Sequence, residues 1–318
     1  MESMRQLDRF QRVGLLFFLF FMGGWFGALS PYFLTSVNIT NILIQSAVPI
    51  IAASGMTLVI ATAGIDLSIG SILSLSSIIM AWAMKNQIGV YPSILLGVMA
   101  GAVMGGVNGV GIARLGVSPF IITLGTAGIY RALALIITEA RPIYGFPMSF
   151  RIFGMGEFGP VPLSVMVSLM VASGMYVILM WTRFGTHARA VGSHLEGAYR
   201  MGVPIHRIFI LVYAISGITA SLAGVIVTAR LNTAEAIAGL GMELEAIAAV
   251  VMGGTSFFGG EASISGTLLG AFIIGTLGNG LTIINVPSYY QQLVIGLVFI
   301  MAVLADRMRR QRKLGITI

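Results

Sequence analysis

The chain has 318 residues, of which 57% are hydrophobic and only 9% are charged, and its mean hydropathy is +0.96. Because a soluble domain carries about 25% charged residues, most of this surface must face lipid rather than water. Cysteine is absent, which excludes disulfides, a thiolate nucleophile and cysteine metal sites. The net charge of +7 comes from basic residues gathered at the predicted cytoplasmic ends of helices, so we predict the lipid bilayer and no nucleic acid as a partner.

Apolar segments of about 20 residues, the length that crosses a bilayer as a helix, recur along the whole chain. They predict an all-α polytopic membrane protein of about ten transmembrane helices, forming a single transmembrane domain over residues 1–318. The first apolar run is too long for a signal peptide, and we interpret it as an uncleaved span. The predicted spans are residues 13–34, 43–63, 69–84, 92–112, 119–138, 163–181, 208–229, 244–258, 264–284 and 289–305.

The distribution of lysine and arginine predicts the orientation of these spans. With the N-terminus in the cytoplasm, ten spans return the C-terminus to the cytoplasm, and 13 of the 18 basic residues then lie on the inner side. Four lie on the outer side, and Arg131 lies within a span. This bias follows the positive-inside rule and predicts a multi-pass protein of the bacterial inner membrane with both termini in the cytoplasm.

The sequence contains a weak internal repeat. Shifting it by 169 residues gives six identities over residues 101–120, five of them involving glycine or alanine pairs in apolar segments. A shift of 169 residues spans five predicted helices, and an odd number of helices places the second copy upside down in the membrane. We therefore predict two inverted halves, at about 13–160 and 161–306, an arrangement that many transporters use to form a path at the interface of the halves.

The chain has no phosphate-binding motif of the Gly-x-x-x-x-Gly-Lys-Ser/Thr type, and its only lysines are Lys85 and Lys313. It should therefore not hydrolyse ATP alone. No catalytic residues and no cofactor are predicted for it.

Asp66 and Ser68 lie between the second and third predicted spans. A carboxylate near the membrane is costly, and it is usually paired, hydrated or functional. One interpretation makes these residues a pore mouth or gate. The other makes them a cap that satisfies the free N–H groups at the start of the third helix.

Four further polar residues lie in or beside glycine-rich spans, and each has two interpretations. Their side chains either line a pore or form hydrogen bonds between helices, which is the commoner use of polar groups in membranes. These residues are Asn108, Thr255, Ser256 and Asn279.

Arg131 lies well inside the fifth predicted span, at about the depth of Glu243 and Glu245. An isolated charge in a membrane normally pairs with another charge or extends its side chain to the interface. Arg131 either forms an ion pair with one of these glutamates, locking the two halves together, or reaches the interface alone.

The inner segment 182–207 is longer than a simple connection requires, and it contains four arginines and all three histidines. The histidine spacing matches no zinc motif, so no metal site is predicted. The segment is either a docking element, in which Arg183, Arg189 and Arg200 meet acidic groups of a partner, or a solvated loop that only sets topology.

Several of these segments together resemble the ribose-type permease family, the membrane subunits of bacterial ABC sugar importers. The resemblance extends over about residues 35–306. The motifs that carry it are GMTLVI (55–60), GIDLSIG (64–70), GMELEAIAAVVMGGTS (241–256), GNGL (278–281) and SYYQ (288–291).

The resemblance implies an importer with a second permease copy or paralogue, a cytoplasmic ATP-binding subunit that holds the ATP, and a periplasmic sugar-binding protein. It also implies that the inner segment touches the ATPase. The residues that match the family's coupling loop are Arg183, Gly185, His187, Arg189, Gly192, His194, Glu196 and Arg200. The chain departs from the family where Ser193 and His194 follow Gly192, in place of Gly-Asn, and where Glu261 replaces a basic residue.

The residues leave the transported solute open. A ribose-like monosaccharide is favoured, and a nucleoside, a signalling furanose or a branched-chain amino acid are the alternatives within the same class of importer. An ion-coupled secondary transporter is a further alternative, although the acidic residues lie near span ends rather than within spans.

Overall fold

The computed structural model describes the backbone of residues 2–314 and the side chains of residues 13–308, 310 and 311. Helices make up most of this part of the chain, and its strands are two residues long. The helices are α1 (Glu2–Leu29), α2 (Ser36–Ala61), α3 (Ile69–Lys85), α4 (Val90–Leu115), α5 (Pro119–Thr138), α6 (Met148–Met155), α7 (Leu163–Trp181), α8 (Arg183–Ser193), α9 (Leu195–Arg200), α10 (Ile205–Leu231), α11 (Met242–Met252), α12 (Ile264–Ile283) and α13 (Ser288–Leu314). The strands are β1 (Ile143–Tyr144), β2 (Glu157–Phe158), β3 (Val161–Pro162) and β4 (Thr233–Ala234).

Helix length confirms an all-α polytopic membrane protein but does not confirm the predicted count of ten spans. Within the described residues, seven helices are long and apolar enough to cross a membrane: α2, α4, α5, α7, α10, α12 and α13. The apolar part of α1 (Val13–Leu29) and α3 are shorter. The predicted eighth span, 244–258, is only the 11-residue helix α11, which at about 16 Å reaches roughly half-way across a bilayer.

Local sequence explains where the helices begin and end. The prediction of 13–34 for the first span runs too far, because α1 stops at Leu29 and Pro31 disfavours helical geometry at the residue before it. Side chains of Thr35 and Ser263 accept hydrogen bonds from the first turns of α2 and α12. The fifth and sixth predicted spans, 119–138 and 163–181, coincide with α5 and α7.

The core of the bundle is formed by α2 and α10, which are buried along most of their length and pack against each other. Small residues allow α4 to lie directly on α10, because a Cβ at Gly101 would clash with Gly217 and a Cβ at Gly217 would clash with Gly101. The helices α4, α5, α7 and α13 present most of their apolar side chains outward, as lipid-facing helices do.

The two ends of the bundle differ. One end, which we call the α6 end, carries α6, the β2–β3 hairpin, and the pairing of β1 with β4. The other, the α8 end, carries the short helices α8 and α9. These ends lie on opposite sides of the bundle because the full-length helix α7 connects them.

Candidate functional site

The helices α3 and α11 begin against each other in the interior of the bundle. A Cβ at Gly70, in the first turn of α3, would clash with the carbonyl oxygen of Gly239, and the reverse is also true. The backbone N–H of Gly239 donates to the hydroxyl of Ser74 at 3.1 Å. Only Leu240 and Gly241 lie between Gly239 and Met242, the first residue of α11. Irregular backbone at such a depth is tolerated in membranes where protein surrounds it or where it lines a polar path.

Asp66 lies fully buried just before α3, and both of its carboxylate oxygens have hydrogen-bond partners. Its Oδ1 accepts from the backbone N–H of Ser68 at 3.0 Å and from the Ser68 hydroxyl at 2.6 Å. Its Oδ2 accepts from the hydroxyl of Ser216 on α10 at 2.8 Å. The Ser68 hydroxyl in turn accepts from the Asn108 amide on α4 at 2.7 Å. We call Asp66, Ser68, Asn108 and Ser216 the Asp66 cluster, which joins α3, α4 and α10.

The Asp66 cluster does not form the predicted side-chain cap, because the N-cap residue Ser68 makes no side-chain hydrogen bond to the first turn of α3, and Asp66 accepts from Ser68 itself. Asp66 is 0% exposed, and the segment beside it is held through the Ile65 carbonyl, which accepts from Tyr213 and Thr123 at 3.2 Å each. One acceptor, Oδ1 of Asn108, has no partner among the described side chains. Ser216 was not predicted, because nothing in the sequence connects it with a residue 150 positions earlier.

Arg131 lies on α5, on another side of the start of α3. Its Nη2 donates to the buried hydroxyl of Ser71 at 3.4 Å. The Oε2 of Glu243 lies beside Gly70, 2.8 Å from where a Cβ would stand. We call Ser71, Arg131 and Glu243 the Arg131 cluster.

A direct ion pair between Arg131 and either glutamate is not formed, which corrects that part of the prediction. Among the described side chains, the ion pair that forms joins Arg200 and Glu196. The charge of Arg131 still acts favourably on the carboxylate of Glu243. However, Nη1 of Arg131 and Oε2 of Glu243 are both buried and lack a partner in the described part of the protein. The two charges therefore share one environment without touching.

The remaining predicted polar residues form contacts between elements. The Asn38 amide on α2 donates to Oδ1 of Asn279 on α12 at 2.9 Å. The Thr255 hydroxyl accepts from the backbone N–H of Ser263 at 3.0 Å and closes the turn between α11 and α12. The Ser256 hydroxyl donates to Asp306 on α13 at 3.4 Å. The contacts of Asn279 and Ser256 join helices or their ends, which is the common use of polar groups in membranes, and pore lining by these residues stays a prediction.

Asp306 is a structural residue that the sequence analysis missed. Its side chain is 6% exposed, and its Oδ2 accepts from the backbone N–H of Phe257 at 2.9 Å. It ties α13 to the turn that follows α11. The available signal was an acidic residue directly before the basic C-terminal run of the sequence.

The helices α8 and α9 form an ordered element rather than a loose loop. The Thr182 hydroxyl and the Nδ1 of His194 accept from the backbone N–H groups of Gly185 and Gly197 and start the two helices. Gly185 is buried against the end of α7. The side chains of Arg183, His194, Glu196 and Arg200 are exposed, whereas those of His187 and Arg189 are half-buried.

Three segments meet where α8 touches the bundle. A Cβ at Gly192 would clash with the carbonyl oxygen of Ala61, the last residue of α2. The backbone N–H of Gly260 donates to the same carbonyl at 3.1 Å. The end of α8 therefore contacts both α2 and the turn between α11 and α12, so that a displacement of α8 must shift both.

The exposed face of α8 and α9 also carries apolar side chains. Leu195, Tyr199 and Met201 are 51%, 70% and 75% exposed, beside the exposed charges of Arg183 and Arg200. Aromatic, methionine and arginine side chains at the end of a bundle are typical of a protein interface.

Residues 38–303 of the chain match the family described as branched-chain amino acid transport system / permease component. The chain belongs to this family. It is therefore a multi-pass membrane protein of the permease class, as its long apolar helices require.

Curated relatives of this permease are named for sugars. It is 41% identical to the D-allose transport system permease protein of Escherichia coli (strain K12) over 93% of this chain and 92% of the relative. It is also 41% identical to the ribose import permease protein of Bacillus subtilis (strain 168), over 93% of each. The galactose/methyl galactoside import permease protein of Haemophilus influenzae is 35% identical over 98% of this chain and 99% of the relative. No solved structure gives a significant match.

Proposed function

We propose that this permease is the translocation subunit of an ATP-driven importer for a monosaccharide of the ribose or allose type. The observation that carries the proposal is 41% identity along 93% of the chain to permeases named for allose and for ribose. The family description names branched-chain amino acids instead, so an amino-acid importer of the same class is the second candidate. A nucleoside and a signalling furanose are further candidate solutes for the same class of importer.

The partners follow from the class of importer. A separate ATPase subunit would bind the α8 end, and a periplasmic sugar-binding protein would bind the α6 end. The exposed Leu195, Tyr199 and Met201 support an interface at α8 and α9. The ordered β1–β4 pairing and α6 support a receiving surface at the opposite end. This assignment puts the α8 end and both termini in the cytoplasm, in agreement with the arginine distribution.

Coupling would pass through the contact of Gly192 with Ala61 and of Gly260 with Ala61. When ATP draws two ATPase subunits together, each would pull on α8. The end of α2 and the turn between α11 and α12 would move with it, and the path between the halves would open alternately to each side. A second copy of this permease or a paralogue would complete the path.

The inverted halves are supported by the positions of the helices. A shift of 169 residues maps the bounds of α2 onto those of α10 within one residue, the end of α4 onto the end of α12 within one residue, and the start of α5 onto the start of α13. It also maps two residues with left-handed backbone, Ala63 (φ 58°) and Gly116 (φ 66°), onto Asn232 (φ 55°) and Asn285 (φ 60°). Helix packing repeats in the same way, because α10 packs on α4 as α2 packs on α12. On this basis α3 and α11 are equivalent helices of the two halves.

The experiment is uptake into proteoliposomes that contain this permease, its ATPase subunit and its binding protein. Radiolabelled D-ribose, D-allose, D-galactose, leucine and adenosine are offered with ATP inside. We expect ATP-dependent uptake of a monosaccharide and none of leucine. Uptake of leucine alone would show that the cargo is an amino acid. Uptake that does not depend on ATP but is abolished by an ionophore would show that the protein is a secondary transporter.

A further inference from the structure

The polar groups of the Arg131 cluster lie where two helix N-termini meet. The first turn of α3 touches Gly239, just before α11, and lies beside Glu243 in the first turn of α11. Each helix N-terminus carries about half a positive charge. Arg131 is basic, and Glu243 and Glu245 in the first turn of α11 are acidic. The site therefore brings together side chains of both signs beside the start of α3.

The unpartnered atoms of the cluster specify the chemistry that would satisfy them. Nη1 of Arg131 is a buried donor, and Oε2 of Glu243 is a buried acceptor. Their charges attract, yet no ion pair forms between them. A hydroxyl group both donates and accepts, so hydroxyl groups can satisfy both the guanidinium and the carboxylate. A sugar offers several such hydroxyls on adjacent carbons.

A purely structural role for Glu243 or for Arg131 does not explain why each keeps a buried polar atom without a partner in the described structure. Glu243 stabilises α11 by lying in its first turn, but this role leaves Oε2 without a partner. An arginine that only reached the membrane interface would point away from the bundle. Arg131 instead donates inward to Ser71, which is 1% exposed. Buried donors and acceptors left unpaired are expensive, so a ligand that pairs these atoms would stabilise the site.

We propose that Arg131, Ser71 and Glu243 form a binding station for the hydroxyl groups of a neutral polyol within the permease. The station recognises sugar on its way through the membrane, after the binding protein has released it. This inference rests on the proposed function, since it names the place where the transported monosaccharide contacts the helices.

The test uses the complete importer in proteoliposomes, with D-ribose and D-allose as probes. The variants are Arg131→Gln and Glu243→Gln, and the matched control is Arg114→Gln, whose side chain is exposed. Sugar imported and ATP hydrolysed are measured together at saturating binding protein. The ratio of the two separates passage of sugar from the ATPase cycle.

We expect each cluster variant to import about tenfold less sugar per ATP, the loss of one hydrogen bond to a charged group, with ATPase stimulation within about twofold of the parent permease. The double variant should lose little more, since both residues serve one solute. An unchanged ratio, or a fall in ATPase stimulation and complex yield that parallels uptake, would overturn the station. If the parent permease itself imports neither probe with ATP, the proposed function fails and the station fails with it.

Discussion

Two polar clusters lie beside the start of α3, and they treat their charges differently. In the Asp66 cluster both carboxylate oxygens are bonded to Ser68 and Ser216. In the Arg131 cluster the guanidinium and the carboxylate each keep a buried atom without a partner in the described protein. The fully bonded charge ties helices together, whereas the incompletely bonded charges are the ones that we propose to bind a solute. The role of a buried charge is therefore indicated by its hydrogen-bond partners and not by its burial alone.

The largest expected effect comes from removing the bonded charge. Asp66→Ala leaves Ser68 and Ser216 without their acceptor, and we expect a loss of about 3 kcal/mol in unfolding free energy. Thermal unfolding of the purified permease in detergent measures it. Asp66→Asn, which keeps an acceptor oxygen, should lose less. A variant as stable as Glu157→Ala would show that the cluster does not hold the helices.

Ser216→Ala should cost less than the removal of Asp66, because it deletes only the α10 side of the cluster. A hydrogen bond to a charged group contributes about 1.5–3 kcal/mol. Ser221→Ala on the same helix is the matched control, since its hydroxyl bonds the carbonyl of Gly217 within α10. Equal losses in the two variants, measured by the same unfolding experiment, would break the contrast between an interhelical and an intrahelical bond.

Gly192→Val tests the path that leads from α8 to the segment before Asp66. Because a Cβ at Gly192 clashes with Ala61, the variant must shift α8 away from α2. We expect ATP-driven sugar uptake to fall about tenfold, equivalent to about 1.4 kcal/mol. Gly174→Val, on α7 where an added Cβ meets nothing within 4 Å, should transport normally. Normal coupling in Gly192→Val would place the transmission of movement elsewhere.

The smallest expected change sharpens the comparison most. Glu243→Gln removes a charge whose Oε2 has no bond to lose in the described structure, so its unfolding free energy should stay within about 0.5 kcal/mol of the parent value. The same measurement on Asp66→Asn supplies the contrast. A loss for Glu243→Gln that matches Asp66→Ala would make the two clusters equivalent.

Much of the fold was predictable, because a helix that crosses a bilayer needs an uninterrupted apolar run. The spans 119–138 and 163–181 match α5 and α7 for this reason. The eighth span was predicted too long because Phe257 and Phe258 continue the apolar run after the helix has ended. Gly254, with a left-handed φ of 91°, allows the turn that hydropathy does not detect.

The candidate site was predictable residue by residue but not as contacts. Asp66, Arg131 and Glu243 stood out because charges are rare in apolar segments, and Arg131 and Glu243 do lie near each other. Their partners Ser71 and Ser216 carry no signal, since serine is common in membrane helices and tertiary packing alone brings it to a charge. The contact of Gly70 with Gly239, which brings the starts of α3 and α11 together, is likewise revealed only by the structure.

Cross-linking from α8 tests the central claim most directly, because a chain without cysteine accepts a single reporter. Ser193→Cys lies exposed on α8, and Phe158→Cys lies exposed on the β2–β3 hairpin at the other end. In the assembled importer, we predict that Ser193→Cys cross-links to the ATPase subunit, and that Phe158→Cys cross-links to the binding protein and reacts with an impermeant thiol reagent outside the cell. Labelling of Ser193→Cys from outside, or its failure to reach the ATPase in an importer that still transports, would contradict the account.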